Sequence, residues 1–303
     1  MVAPTSPARS GLIPGCTRGS SPYARWRPCT RTARSPASTR SASCALNFLP
    51  SPASTPPSTT RFSAEASTYA LPQEWRARWG LRRYGFHGLS HAYASARASE
   101  LTDLDATSAR VVSCHLGAGA SLAAVRGGVS VDTTMGFTPT EGLVMATRAG
   151  DLDPGMLVWL QRNGVELDRL ENVLEHEAGL SALAGHGGDM RAIRVDADAG
   201  DLRARLARAI YAYRVRTGIA AMAAAMGGMD ILVFTGGVGE HDDGVRAQAV
   251  AELGFLGVGL DPGANARAVG DAEIGASDAP VRTVVVTARE DVWIARETRG
   301  VSG

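Results

Sequence analysis

Two segments of the chain share one pattern. Residues 229–250, MDILVFTGGVGEHDDGVRAQAV, pass from a short apolar run through a glycine cluster into a helix-forming stretch. Residues 281–298, VRTVVVTAREDVWIARET, repeat that order with a shorter turn. A short continuous apolar run suits a strand covered on both faces, as in a parallel sheet flanked by helices. The pattern therefore predicts an α/β fold, with ligands at the carboxyl ends of the strands.

The remaining periodicities fill in that scheme. The stretch ARVVSCHLGAGASLAAVRGGVSVDTTMGF alternates strand and glycine turn, which predicts a meander of two or three strands. A helix is expected from Ser90 to about Leu101. Another starts near Pro154, because proline suits a first helical turn. Residues 166–180 read as one amphipathic helix with Leu167, Leu170, Val173 and Leu174 on one face. Residues 201–226 read as a long helix whose inner stripe is Leu202, Leu206, Ile210, Tyr213, Thr217 and Ala220.

Composition divides the chain. The first acidic residue is Glu65, while residues 1–60 hold 10 of the 15 prolines and three of the 4 cysteines. Such a segment, rich in Ser, Thr, Pro and Arg, buries too little apolar surface to offset its ordering entropy. Residues 1–64 are therefore read as disordered or non-native, and 65–303 as folded. A basic tail, a targeting peptide and a shifted reading frame compete for the first segment. Cys16, Cys29 and Cys44 form no CxxC pair, so zinc is not expected there. The formal charge of +1 gives no reason to expect nucleic acid or membrane binding. No convincing targeting segment occurs, which favours the cytoplasm. Cys114 reads as a buried strand residue.

Four glycine-rich loops, around Gly85, Gly117, Gly187 and Gly237, neighbour the strands. Each alone is either a plain turn or a place where backbone amides approach an anion. None has the GxGxxG or GxxxxGK[ST] spacing. His87 and His115 lie in such loops and His91 opens a helix. Each is structural or catalytic. Asp151 and Asp153 form a carboxylate pair or cap the helix that follows.

Taken together, RRYGFHGLSH, CHLGAGASLAAVRGGVSVDTTMGFTPTEGLVMATRAGDLDP, GGDMR, FTGGVGEHDDGVR and REDVWIARET resemble the acetate kinases, in order and at about the usual spacing. The resemblance covers about residues 65–303. It implies an RNase H-like, actin-type ATPase fold whose second domain is complete and whose first is largely missing. Residues 65–289 would form the nucleotide-binding domain, and 290–303 a helix that normally packs on the first domain. The implied reaction is ATP + acetate ⇌ ADP + acetyl phosphate with Mg²⁺, and family members are typically homodimers.

The resemblance also implies roles. His87 and Arg148 match transition-state stabilisers. His115, Leu116, Gly117, Ala118 and Gly119 match a phosphate-contacting loop. Asp189, Met190 and Arg191 match an adenosine-contacting stretch. Gly237, Val238, Gly239, Glu240 and His241 match a second nucleotide loop. Phe86 and Pro139 match the lining of a small acetate pocket, and Glu290 a Mg²⁺-associated glutamate. Ala118 and His241 stand where the family usually has asparagine, and Gly188 replaces a common serine.

Larger departures lie upstream. The family's lysine-ending phosphate loop, its substrate arginine and its FDTAFH motif have no counterpart, and all 31 basic side chains are arginine. Codons for Phe-Asp-Thr-Ala-Phe-His with C in every third position give Ser-Thr-Pro-Pro-Ser-Thr when read one nucleotide late. Residues 54–59 are Ser-Thr-Pro-Pro-Ser-Thr. The expectation is that residues 1 to about 63 are translated out of frame, and that this chain is inactive or severely impaired.

Overall fold

The computed structural model describes residues 62–301. The readings of residues 1–61 lie outside the described residues. Helices Ala64–Ser67 (α1), Gln73–Trp79 (α2) and Gly88–Thr102 (α3) precede strands Arg110–Leu116 (β1), Ala120–Arg126 (β2) and Val129–Thr133 (β3). Helices Pro154–Arg162 (α4), Leu167–Asn172 (α5), Gly179–Ala184 (α6), Met190–Asp198 (α7) and Leu202–Met226 (α8) follow. Strand Ile231–Thr235 (β4) leads into Gly236–His241 (α9), Asp243–Val250 (α10) and Pro262–Arg267 (α11). Strands Ala272–Glu273 (β5) and Arg282–Val285 (β6) and helix Glu290–Val301 (α12) end the described chain. No helix among the described residues is long and apolar enough to cross a membrane.

The strands form one mixed sheet in the order β3-β2-β1-β4-β6-β5. β1, β4 and β6 are parallel, with Cys114 opposite Phe234 and Phe234 opposite Val285. β2 and β3 add the antiparallel meander, with His115 opposite Ser121. The period of two sorts the central strands by face. Val112, Cys114, Leu116, Leu122, Leu232 and Phe234 join a core with Tyr211, Val215 and Ile219 of α8. Val111, Ala123, Val125, Ile231 and Val233 join Ala94 and Ala98 of α3 in a second core. The sheet is thus sandwiched between α3 and α8. Cys114 is buried, as expected, and burial pushes its thiol pKa well up.

The structure corrects three expectations. Residues 166–180 are not one helix: a π turn spans Val173–Glu177, and Gly179 has φ 65° where a Cβ would meet Met145 O at 2.3 Å. Close approach of the 145–148 loop breaks the helix there. The inner stripe of α8 is also different. Leu202, Leu206 and Tyr213 are 77%, 56% and 56% exposed, and Thr217 is exposed too. Ile210 and Ala220 do pack half-buried on the core, but the buried positions are Ala204, Ala207, Tyr211, Val215 and Ile219. Small residues let α8 lie close on β2, and a Cβ on Gly218 would come within 2.6 Å of Leu122 Cδ1. Finally, Gly237–His241 is not a loop but most of α9, which begins directly after β4.

Candidate functional site

The carboxyl ends of β1, β4 and β6 lie at one edge of the sheet, and the quoted motifs gather there. On the α3 face of β1 and β2, the apolar alternation gives way to Ser113, His115 and Ser121. These side chains meet the first turn of α3. His91 Nδ1 lies 2.9 Å from Ser113 Oγ and its Nε2 2.8 Å from Ser121 Oγ. His87 Nδ1 shares the same Ser121 Oγ at 2.9 Å, and His115 Nδ1 pairs with Ser90 Oγ at 2.7 Å. The rings of His87 and His115 stack at 4.3 Å between centroids.

All three imidazoles are held neutral. Burial, and then the Arg148 cation, pushes the pKa of His87 down to about 4. Burial, and then His87, pushes His115 down to about 3. His91 is held well below the ordinary histidine value by burial, and further by His115 and His87. His87 itself sits in the left-handed region at φ 58°, ψ 24°, as the N-cap of α3. That conformation is sparsely populated by non-glycine residues, and it sets the ring against Ser121.

The glycine turn between β1 and β2 supplies the opposite wall. Gly117 N–H donates to Gly119 O at 2.9 Å, and Ala118 O accepts from Ala146 N–H at 3.0 Å. A Cβ on Gly119 would lie 3.4 Å from His87 Cε1 and Nε2 and 3.9 Å from Arg148 Nη1. His87, Arg148 and Gly119 therefore converge. Arg148 Nη1 also reaches Pro139 O at 3.4 Å. Asp153 caps α4 through Gly155 N–H at 2.8 Å, and Asp151 accepts from Gly142 N–H at 2.8 Å. These two carboxylates are architectural: they fix the Arg148 loop at its far end.

The other motif residues lie around this centre. Leu116 at the end of β1 packs close to α9, where a Cβ on Gly236 would come within 2.8 Å of Leu116 O. Gly237 faces open space and Gly239 is buried against β4. Val238 packs partly on the core, and Glu240 Oε1 accepts from Ala288 N–H at 3.0 Å. His241 is exposed at the end of α9. Asp189 caps α7 and pairs with Arg191 at 2.9 Å, while Met190 is buried. A Cβ on Gly188 would come within 2.2 Å of Ala146 O, which fastens this turn to the Arg148 loop. Phe86 lines a cavity of about 40 Å³ with Phe62, Tyr84 and His91. Pro139 is not in that lining. Glu290 is exposed at the start of α12. No cluster of three or more His, Cys, Asp or Glu suited to a metal occurs among the described residues.

The family model of the acetokinase family matches residues 58–296. The chain belongs to the acetokinase family. It is 48% identical over 239 residues to acetate kinase of Gloeobacter violaceus, an alignment covering 78% of this chain and 59% of that protein. Among solved structures it is similar to Porphyromonas gingivalis acetate kinase, at 38% identity and a TM-score of 0.79, over 81% of this chain and 62% of that one. It is also similar to a propionate kinase from Francisella tularensis, at 34% identity and a TM-score of 0.73, over 78% and 60% of the two chains. The chain thus spans about three fifths of the length of the acetokinases it matches. Its mixed sheet is the expected actin-type ATPase fold of these relatives.

Several residues around this candidate site have no obvious sequence signal. Arg246 is fully buried and donates to Gly239 O at 2.9 Å, Glu240 O at 2.8 Å and Asn265 Oδ1 at 2.7 Å. It closes the carboxyl end of α9. Arg208 holds Asp242 with two bonds, at 2.8 and 3.0 Å. An arginine in an alanine-rich helix reads as a solvated side chain. Ser113 and Ser121 do carry a signal, because both share the face of His115 by period-two counting.

Proposed function

We propose that residues 62–301 are the nucleotide-facing part of a phosphotransferase that moves a phosphoryl group between ATP and acetate. The observation that carries this reading is the convergence of His87, Arg148 and Gly119. Phosphoryl transfer depends on positioning and on neutralising charge on the equatorial oxygens. A guanidinium offers a fixed fork of donors for those oxygens. In this reading His87 and Arg148 face the transferring group. His115–Gly119 and Gly237–His241 contact the phosphates, and Asp189, Met190 and Arg191 the adenosine. The burial of Met190 limits it to holding that turn in place.

Glu290 is compatible with Mg²⁺, since one exposed carboxylate is enough where phosphate oxygens and waters complete the octahedron. Mg²⁺, when bound, would neutralise charge on the phosphate oxygens. Phe86 and Pro139 flank His87 and Arg148 in this reading and leave room for a small acyl group. The likeness to a propionate kinase favours propionate as a second acceptor. Homodimer formation belongs to the same reading, with the exposed Leu202, Leu206 and Tyr213 as available apolar surface.

Turnover by this chain is proposed to be very low, because the 303 residues hold neither the family's FDTAFH aspartate nor its lysine loop. Translation of the first segment out of frame accounts for both. The tests are calorimetric binding of MgADP and a hydroxamate assay for acetyl phosphate, run with acetate and with propionate. Both are applied to this chain and to a version with the upstream frame restored. Binding without turnover, with turnover regained on restoration, is expected. Turnover equal to that of the restored version would refute the impairment, and no nucleotide binding by either would refute the site.

A further inference from the structure

We propose that a one-way hydrogen-bond relay, Ser113 to His91 to Ser121 to His87, fixes His87 as its Nε2–H tautomer. Ser113, His91 and Ser121 are then positioning residues. They aim an N–H rather than a lone pair at the space before Gly119. The use of that donor on a phosphoryl oxygen rests on the proposed function; the tautomer itself does not.

A count of protons fixes the direction of the relay. A neutral imidazole has one N–H and one acceptor nitrogen, and a serine hydroxyl has one proton to give. His91 uses both nitrogens, Nδ1 with Ser113 and Nε2 with Ser121, while Ser121 Oγ also faces His87 Nδ1. The chain of four groups can run head to tail in two directions. A third arrangement, in which Ser121 Oγ accepts from both rings, leaves the buried Ser121 hydroxyl proton without an acceptor and is disfavoured for that reason. In the forward one, Ser113 donates to His91 Nδ1, His91 Nε2–H donates to Ser121, and Ser121 donates to His87 Nδ1. The proton of His87 is then on Nε2. In the reverse one, His87 donates from Nδ1, and the relay ends with His91 Nδ1–H donating to Ser113.

Ser113 decides between them. It is fully buried within β1, and His91 Nδ1 is the only hydrogen-bond partner of its side chain among the described residues. In the reverse direction its own hydroxyl proton has no acceptor. An orphaned buried donor disfavours that direction by roughly tenfold or more. Arg148 does not reverse this bias, because its Nη1 is directed to Pro139 O and makes no hydrogen bond to His87. The same count applies to Ser90, which is buried and pairs with His115 Nδ1 at 2.7 Å. Ser90 donates, so His115 also carries its proton on Nε2. The depressed basicity of all three rings keeps them in the neutral state that the count requires.

The test is a long-range ¹H–¹⁵N correlation spectrum of the 303-residue chain labelled with ¹⁵N-histidine at pH 7, assigned by replacing histidines one at a time. The expected result is the Nε2–H pattern for His87, His91 and His115. An Nδ1–H pattern at His87 or His91 would overturn the relay. Ser121→Ala should convert His87 to a tautomer mixture, and Ser121→Thr, which keeps the hydroxyl, should restore the single form. A His87 pattern unchanged in Ser121→Ala also overturns it. If Ser121→Ala does not fold, the unmodified chain still decides, since the two directions place the proton on opposite nitrogens. Failure of the kinase reading would appear separately, as no nucleotide binding with the tautomers intact.

Discussion

His87 and His115 stack face to face, 4.3 Å between ring centroids and 24° between planes. Two imidazolium ions could not rest at that separation in a buried site, so the pair holds only while neutral. The pKa of His87 is depressed to about 4 and that of His115 to about 3, both mainly by burial. The unfolded chain therefore binds more protons than the native one between the ordinary histidine value and those depressed values. Stability is fully present above about pH 6.5 and is lost as pH falls through that window. Lowering the pH from 7 to 5 should remove ~2 kcal/mol for each of these rings. Urea unfolding at the two pH values measures this. His115→Gln should shrink the loss by one ring's share, and a flat profile would contradict the buried neutral pair.

Gly119 and Gly236 predict opposite outcomes for the same substitution. In Gly119→Ala the new methyl meets His87 and Arg148 at ordinary contact distances, 3.4 and 3.9 Å. Stability should change by less than about 1 kcal/mol, while MgADP binding weakens because the methyl occupies the space before His87. In Gly236→Ala the residue keeps φ 77° and its methyl comes within 2.8 Å of the Leu116 carbonyl. That variant should lose about 2 kcal/mol or more of stability. Equal losses in urea titrations of the two would show that the 117–119 turn is not open.

Much of this was legible in the sequence, and the parts that were not have physical causes. The apolar runs at 111–116 and 231–235 located the central parallel strands, because strands buried on both faces leave a continuous signature. The order of motifs located His87, Arg148 and the 117–119 turn. The face of α8 is not legible from bulk, because closeness to β2 demands small inner residues, with Gly218 against Leu122. The glycines of Gly237–His241 signal a loop, since glycine is a poor helix former, yet contacts with β1 and the Arg246 cap hold the stretch helical. Residue type alone does not mark the serine partners of the histidines, because a buried serine in a strand looks no different from any small residue.

Asp242 should be the most costly single polar residue to remove. Its carboxylate takes two bonds from the buried Arg208 and a third from Val245 N–H at 2.9 Å, capping α10. Burial opposes its ionisation, yet its pKa is lowered overall by Arg208, by the Val245 amide and by Arg194. Asp242→Ala would strand the Arg208 charge between α8 and α10. A loss of about 3–5 kcal/mol is expected, as for other broken buried pairs. Asp242→Asn, which keeps the cap but not the charge, should recover part of it. A loss below about 1 kcal/mol in Asp242→Ala by urea unfolding would mean the pair is solvated.

Tyr69 ties the segment before α2 to the loop that carries Pro139. Its hydroxyl accepts from Phe137 N–H at 2.8 Å and donates to Glu141, whose other oxygen pairs with Arg83 at 2.7 Å. Burial first, and then the Glu141 carboxylate, push its pKa up to about 12. A group with a raised folded pKa contributes stability that is present below its unfolded value of about 10 and disappears as pH rises through 12. Ultraviolet titration should therefore show two tyrosines that resist ionisation at pH 11, Tyr69 and the buried Tyr211, and Tyr69→Phe should remove one of them. The same variant removes the bonds to the Phe137 amide and to Glu141 and should lower stability by about 1 kcal/mol at pH 7. Because Pro139 O lies within 3.4 Å of Arg148 Nη1, loosening this loop should also weaken MgADP binding. A titration in which all tyrosines ionise together near pH 10 would rule out the Tyr69–Glu141 contact.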